Sequence, residues 1–480
     1  MRTRSIAAVT SLVFAGLGVA WAYAQDPPRG GNTVPAARRP APQATAKDTY
    51  QPVAGDETFN QILQRDEAQR EEVQAGQQTL FSARYDLLDR PSKVKMAGGR
   101  KAVQEGVRVK LPRGATWQQL AKLTPEEIKR QNLFPEGFRP LPHVKHATGG
   151  MVFPKLQIDA IQKAEGRDLK RFDVEFDLPD HLTPEFPPPM FLTSRPDLGD
   201  VSQGQVMTIR NYYALLLGKV TPVQMEGMRL LVTPFPKQQF NQTEDRKVLL
   251  PSLGVSCLDC HTNGHTNATF HLTPDVRPQT HRFRIETVSL RGEFNQHIHG
   301  SKRSLRSIED FTEFEQRTAY FDGDHVTAAK KGVHLPNRSD AVSMMAQMQN
   351  MFDFPPAPKL DPLGKLIPGK ATEQELRGQE IFHGKGRCAE CHSGPAFMDD
   401  KMHDLKLERF YVPAMVRGQY SMADGPIKTF TLRGIKDSPP YHHDGRLLTL
   451  EDTVEFFNLV LQLKLSDNDK QDLTAYLRCL

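Results

Sequence analysis

Cys257-Leu258-Asp259-Cys260-His261 and Cys388-Ala389-Glu390-Cys391-His392 decide how this chain is understood. Five cysteines occur in 480 residues, and four of them fall in these two pentapeptides. Composition alone would give on the order of 0.002 Cys-x-x-Cys-His motifs, so two are a signal. Thiols three residues apart on a helical turn reach the two vinyl groups of a haem and form thioethers. The adjacent imidazole then turns to the iron. Competing uses fit worse. A zinc site wants its pairs closer than the 131 residues between Cys257 and Cys388, and needs no histidine after each. A redox pair of the thioredoxin kind would not recur with His appended, and disulfides closing such short loops add little. The motifs therefore predict two covalently bound c-type haems. Cys257, Cys260, Cys388 and Cys391 hold them, with His261 and His392 as iron ligands.

Outward from the motifs, the second half repeats. Thr221 and Gly227 stand six apart before the first motif, as Thr372 and Gly378 do before the second. After the motifs, Ser289-Leu290-Arg291-Gly292 matches Thr431-Leu432-Arg433-Gly434. Glu309-Asp310 matches Glu451-Asp452, and Glu313-Phe314 matches Glu455-Phe456, all at a spacing of 142 residues. Landmarks in one order argue for duplication. We expect a mainly α protein in which two duplicated cytochrome c-like helical domains, 219–360 and 361–480, follow a mixed α/β N-terminal domain at 49–218. The Thr-initiated segments predict capped helices leading into each motif, and Asp467–Leu480 carries a last helical pattern. In the N-terminal part, Glu57–Gln78 is patterned as helix and Thr124-Pro125-Glu126-Glu127 as a helix start.

Residues 1–24 have a basic head at Arg2 and Arg4, an apolar stretch from Ile6 to Ala20, and Ala22-Tyr23-Ala24 as a cleavage site. This predicts a secretory signal, too short to be a spanning helix, and a periplasmic protein. Residues 25–48, rich in Pro, Ala and Arg, predict a disordered tether. Cleavage after Ala24 leaves 456 of the 480 residues and lowers the net charge from +5 to +3. A chain so near neutrality has no electrostatic case for nucleic acid, and a mean hydropathy of −0.52 excludes an integral membrane protein.

Residues 219–480 resemble the bacterial dihaem cytochrome c peroxidases and MauG-like enzymes. The resemblance is carried by both haem motifs, both Thr-x5-Gly lead-ins, Thr429-Phe430-Thr431-Leu432-Arg433-Gly434, Pro439-Pro440-Tyr441-His442-His443-Asp444-Gly445 and Thr449–Asn458. It implies reduction of hydrogen peroxide to water, with electrons from a small periplasmic donor protein. One haem, on His261, would meet peroxide and the other, on His392, would take in electrons. A dihaem electron carrier without turnover, and an oxidase or oxygenase acting on a larger substrate, are the alternatives. The resemblance also allows a Ca²⁺ ion between the haem domains, to which Asp437-Ser438-Pro439-Pro440 would offer oxygens.

Departures from the family pattern matter. Its Met or Tyr ligand to the second haem falls at Phe457, whose ring cannot ligate iron. His442, His443, Met415 and Met422 are the available substitutes. The family's tryptophan between the haems is missing from His297-Ile298-His299-Gly300, which leaves Tyr320 or Tyr441 for electron transfer. Eight of the 16 histidines lie between His261 and His334, and His271 and His281 fall where a distal ligand belongs. Peroxide heterolysis needs a group that takes and returns a proton. Glu309, Glu313 and Asp322 are candidates at the first haem, and His443 and Asp444 at the second. Glu309 and Glu451 equally suit the first turn of a helix, and Asp444-Gly445 suits a turn. Arg291 and Arg433, at matched positions, would pair with haem propionates. Cys479, the odd thiol, is either inert and half-buried or available for intermolecular pairing.

Overall fold

A computed structural model describes residues 64, 68–106, 108–141, 151–169, 173–175, 178–234, 255–272, 284–315, 338–411, 415–416, 419–420 and 424–480. The expected signal and tether lie outside these. The described part is mainly helical, and none of its helices is long and apolar enough to cross a membrane. The elements used below are, in chain order, α1 (Arg70–Arg84), β1 (Pro91–Lys95), β2 (Ala102–Gln104), α2 (Pro125–Arg130), β3 (Met151–Phe153), α3 (Lys155–Glu165), β4 (Asp173–Glu175) and α4 (Pro222–Leu231). They continue with α5 (Cys257–Cys260), β5 (Phe270–Leu272), β6 (Arg284–Glu286), α6 (Ile308–Phe314), α7 (Ser343–Gln349), α8 (Glu373–His383), α9 (Leu450–Val460) and α10 (Asp467–Leu477).

The predicted helix starts form for the predicted reason. Thr124, Thr221 and Thr372 each accept the N–H three residues on, while the Glu or Gln at that position reaches back to the Thr N–H. Two otherwise unpaired donors are thereby satisfied at each start. Helix α1 runs on to Arg84, past the Gln78 at which the pattern stops.

The two lead-in helices pack alike. In α4, a Cβ on Gly227 would lie 2.0 Å from the Met344 carbonyl oxygen in α7; in α8, one on Gly378 would lie 2.0 Å from that of Asp472 in α10. Only glycine permits either crossing. Sulfur closes both pairs. Gln224 Nε2 donates to Met351 Sδ beyond α7, and Glu375, its counterpart, meets the Cys479 thiol beyond α10. The remaining landmarks recur at the 142-residue spacing. Gly292 and Gly434 both take positive φ before a 3₁₀ turn, bridges join His299 to Leu305 and Tyr441 to Leu447, and Ser307 and Thr449 cap α6 and α9.

Between these segments the hydrogen bonds are reciprocal. Glu286 N donates to His443 O and Lys428 N to Ser301 O, both at 2.9 Å. Glu286 and Lys428 are one repeat apart, as are Ser301 and His443, so the second bond is the first with the segments exchanged. A two-fold relation has this isologous form.

The apolar side chains of the N-terminal part pack against these segments. Phe81, Tyr85, Phe134 and Phe138 share a cluster with Phe456, Leu459 and Tyr476, while Met190, Leu192, Leu215 and Leu216 join Met228, Leu258 and Met348. Strands β4, β3, β5 and β6 form one sheet, in that order, so residues 151–175 and 270–286 belong to a single layer.

Candidate haem-binding site

Each motif is held by the capping logic that shapes the fold. In the first, Ser256 caps α5 and Asp259 returns a bond to its N–H. The Asp259 carboxylate also takes a bidentate pair from Arg167, both contacts at 2.8 Å. One residue between the cysteines thus fixes the turn and ties it to the segment after α3. In the second motif, Glu390 pairs instead with exposed Arg387 at 2.8 Å, and the cysteines lie on a 3₁₀ turn at Cys388–Glu390. Burial pushes the Cys257 and Cys388 thiols up to about 12.

Both histidines are oriented from behind. His261 Nδ1 lies 2.8 Å from the Val288 carbonyl oxygen, and His392 Nδ1 lies 2.9 Å from that of Phe397, with the Phe430 carbonyl also bonded to the ring. Val288 and Phe430 are one repeat apart. A proton on Nδ1 leaves the Nε2 lone pair free for iron. Burial holds His261 neutral, down to about 4, against the weaker pull of its carbonyl partner.

Cys257, Cys260 and His261 line a cleft that is open to solvent. His271, Ile285, Glu286, Phe311, Phe314 and Glu315 are among the residues lining it. The structure thus brings His271 to the first motif, on strand β5. Glu309 and Glu313 lie off the cleft: Glu309 is in the first turn of α6, where a carboxylate favours the helix dipole, and Phe311, Thr312, Phe314 and Glu315 carry the facing surface. His265 is buried with both ring nitrogens engaged, on Ser289 Oγ and Asp437 O. His281, Tyr320, Asp322 and Met422 lie outside the described residues. Met415 lies in a short strand at Met415–Val416.

Sequence patterns did not single out Glu286. It is buried at the cleft, accepts from Thr266 Oγ1 at 2.8 Å, and burial raises its carboxyl well above the usual range despite that bond and Arg284. Its mark in the sequence is a pairing: Glu286 stands where the second repeat has Lys428.

The arginines suit an anionic group. Buried Arg291 stacks over Phe191, donates to Pro189 O and faces the buried Asp437 carboxylate at 3.8 Å, with its Nε and Nη1 outside hydrogen-bond distance of any acceptor. Arg433 stacks over Phe354 with its Nε unbonded. Buried unpaired guanidinium N–H groups cost free energy, and propionates would satisfy them. The thiols, rear-anchored histidines and cleft together fit a haem.

His443 and Asp444, expected beside the second haem, sit in a buried polar network. His443 Nε2 lies 2.9 Å from Asp424 Oδ1, Tyr411 donates to Asp424 Oδ2 at 2.7 Å, and Arg446 bonds both Asp424 and Asp444. Phe457 is half-buried beside Phe456.

No family model matches the chain. Among curated proteins it is similar to cytochrome-c peroxidase IdrP2 of Denitromonas iodatirespirans, 29% identical over 25% of this chain and 43% of that protein. It is also similar to cytochrome-c peroxidase IdrP1 of Pseudomonas sp. strain SCT, 26% identical over 33% of this chain and 54% of that protein. A third relative is the methylamine utilization protein MauG of Methylorubrum extorquens, 32% identical over 22% and 33%. The chain spans about a third to a half of the length of these relatives. Among solved structures, a hydrazine synthase chain of Kuenenia stuttgartiensis is 19% identical, covering 57% of this chain and 93% of that one with a TM-score of 0.37. A MauG-like protein associated with microbial copper homeostasis is 17% identical, covering 54% and 88%, also at 0.37.

Proposed function

From a chain that resembles the cytochrome-c peroxidases and MauG, we propose a periplasmic dihaem c-type peroxidase. It would reduce hydrogen peroxide to water with electrons from a small donor protein. The observation that carries this is the doubled arrangement of Cys-x-x-Cys-His with an Nδ1-anchored histidine, one copy opening onto a cleft. The reciprocal bonds and matched helix crossings support duplicated haem domains.

When bound, haem supplies an iron with a face for peroxide and a store of electrons. The chain's own part is to hold and move protons. At the first motif, burial opposes ionisation of Glu286 and raises its carboxyl well above the usual range. At the cleft, Glu315 would take the proton from one peroxide oxygen, and Glu286, whose burial favours its protonated form, would give one to the other. His271, which lines the same cleft as His261, would be a further imidazole available to a haem iron. Arg291 and Arg433 would hold propionates.

Stopped-flow mixing of the ferric protein with peroxide, with EPR of the resting state, tests this. The proposal requires a high-spin iron that reacts with peroxide and turns over when a reductant is supplied. Glu286→Gln or Glu315→Gln should slow that reaction by roughly 10²-fold or more. Wholly low-spin, peroxide-inert haem would assign an electron carrier instead, and peroxide consumption without turnover to water an oxidase of MauG type.

A further inference from the structure

We propose that His442 is the distal ligand of the second haem, bound to iron through Nε2. The first haem, whose repeat has Gly300 at this place, gains no such ligand. The assignment rests on the dihaem reading above and adds to it which iron is closed, and by which side chain.

The repeat places this side chain. Gly300, Arg303, Phe314 and Glu315 line the cleft at the first motif. One repeat later stand His442, Gly445, Phe456 and Phe457. The Phe430 carbonyl meets the His392 ring as the Val288 carbonyl meets that of His261, so the two-fold relation puts these four beside the second motif. Within that set the His442 ring packs edge-on against Phe456, with 5.2 Å between centroids. It thus stands against the counterpart of a residue that lines the first cleft, in space the first repeat leaves open. Phe457, where the first repeat has Glu315, offers no ligand atom.

The exchange of side chains is paired. A Cβ at Gly300 would lie 2.9 Å from Arg303 Cβ. In the second repeat the place of Arg303 is taken by Gly445, which has no Cβ, so room opens where a side chain enters. His442 holds φ +77, close to the +90 of Gly300. Left-handed backbone is unfavourable for a side chain and persists where its surroundings hold it. The second repeat keeps that strained backbone and presents an imidazole from it.

Hydrogen bonds fix which nitrogen is bare. Asp424 accepts from Tyr411 Oη, from Arg446 and, at 2.9 Å, from His443 Nε2. A neutral His443 with its proton on Nε2 can only accept at Nδ1. The 2.7 Å contact between the two Nδ1 atoms is then His442 donating to His443. With its proton committed there, His442 keeps a lone pair on Nε2, and among the described residues that nitrogen has no hydrogen-bond partner. His261 and His392 carry the same mark, a ring held at Nδ1 and bare at Nε2. A hydrogen bond from the rear orients a ligating imidazole and raises its basicity.

The test is EPR of the ferric, haem-loaded full chain, with low-spin and high-spin signals integrated against haem content. The native protein should show at least one low-spin haem per chain. His442→Gly, which supplies the residue of the first repeat and relieves the backbone, should convert one low-spin haem per chain to high-spin, with both haems still attached by intact mass. Phe457→Met should leave the native spectrum unchanged, because the position it would fill is already taken. A low-spin signal that His442→Gly leaves intact would overturn the assignment, as would a native protein with both haems high-spin. Two low-spin, peroxide-inert haems of which His442→Gly opens one would remove the peroxidase reading and uphold this one.

Discussion

Single residues carry most of the chemistry, and the sequence shows them unequally. The six motif residues are legible because the covalent haem attachment proposed for them would need fixed spacing. Glu286 is not, because its significance is burial beside the cleft, and burial depends on strands that meet only in the fold. Glu309 is the opposite case: a patterned carboxylate that takes the helix-start place its sequence position equally suits. Cys479 is explained by the repeat. Its thiol meets Glu375 as Met351 meets Gln224, and burial and that carboxylate push it up to about 12. Cys479→Ala should therefore cost only ~1 kcal/mol and leave the protein's behaviour under oxidising conditions unchanged, as checked by denaturant unfolding and non-reducing electrophoresis. Phe457 is a sharper case. If it leaves the second iron without a distal ligand, Phe457→Met converts that haem to low-spin in EPR; an unchanged spectrum would mean another side chain already occupies the position.

Among the elements, the decisive ones are the crossings α4–α7 and α8–α10. Thr-x5-Gly was visible as a spacing, but its cause is the neighbouring helix, whose carbonyl lies against the glycine. Gly227→Ala and Gly378→Ala should each destabilise by ~3 kcal/mol, read from thermal or denaturant midpoints. Thr372→Ala, which removes one cap bond from α8, should cost only about 1 kcal/mol. Equal losses at the three sites would mean that the glycines serve propensity rather than close approach. The caps were legible beforehand because their bonds are local in sequence. Strands β3 to β6 were not, being three residues each and paired across long separations.

At the scale of the whole molecule, the expected separate N-terminal domain draws no support from the described residues, whose apolar side chains are shared with later segments. Buried Asp452 in α9 is one such tie: its Oδ1 accepts the N–H groups of Arg108 and Val109, at 2.6 and 3.0 Å. A composition profile cannot show an interface that one carboxylate anchors. Burial raises Asp452 to about 7, against those bonds and the Thr449 contact. A carboxyl raised above its unfolded value of about 3.9 stabilises the fold fully below pH ~4, and that contribution is lost as pH rises through ~7. Stability should accordingly fall between about pH 4 and 7 more steeply in the native protein than in Asp452→Asn, which keeps an acceptor oxygen but cannot ionise. Parallel pH profiles from urea titrations would contradict this. The proposed dihaem architecture rests on two covalently bound haems, and intact-mass spectrometry of the denatured, purified protein tests them most directly. Two porphyrin adducts should survive denaturation, one being lost with Cys257→Ser/Cys260→Ser and the other with Cys388→Ser/Cys391→Ser. A polypeptide carrying no adduct, or adducts indifferent to those replacements, would contradict the account.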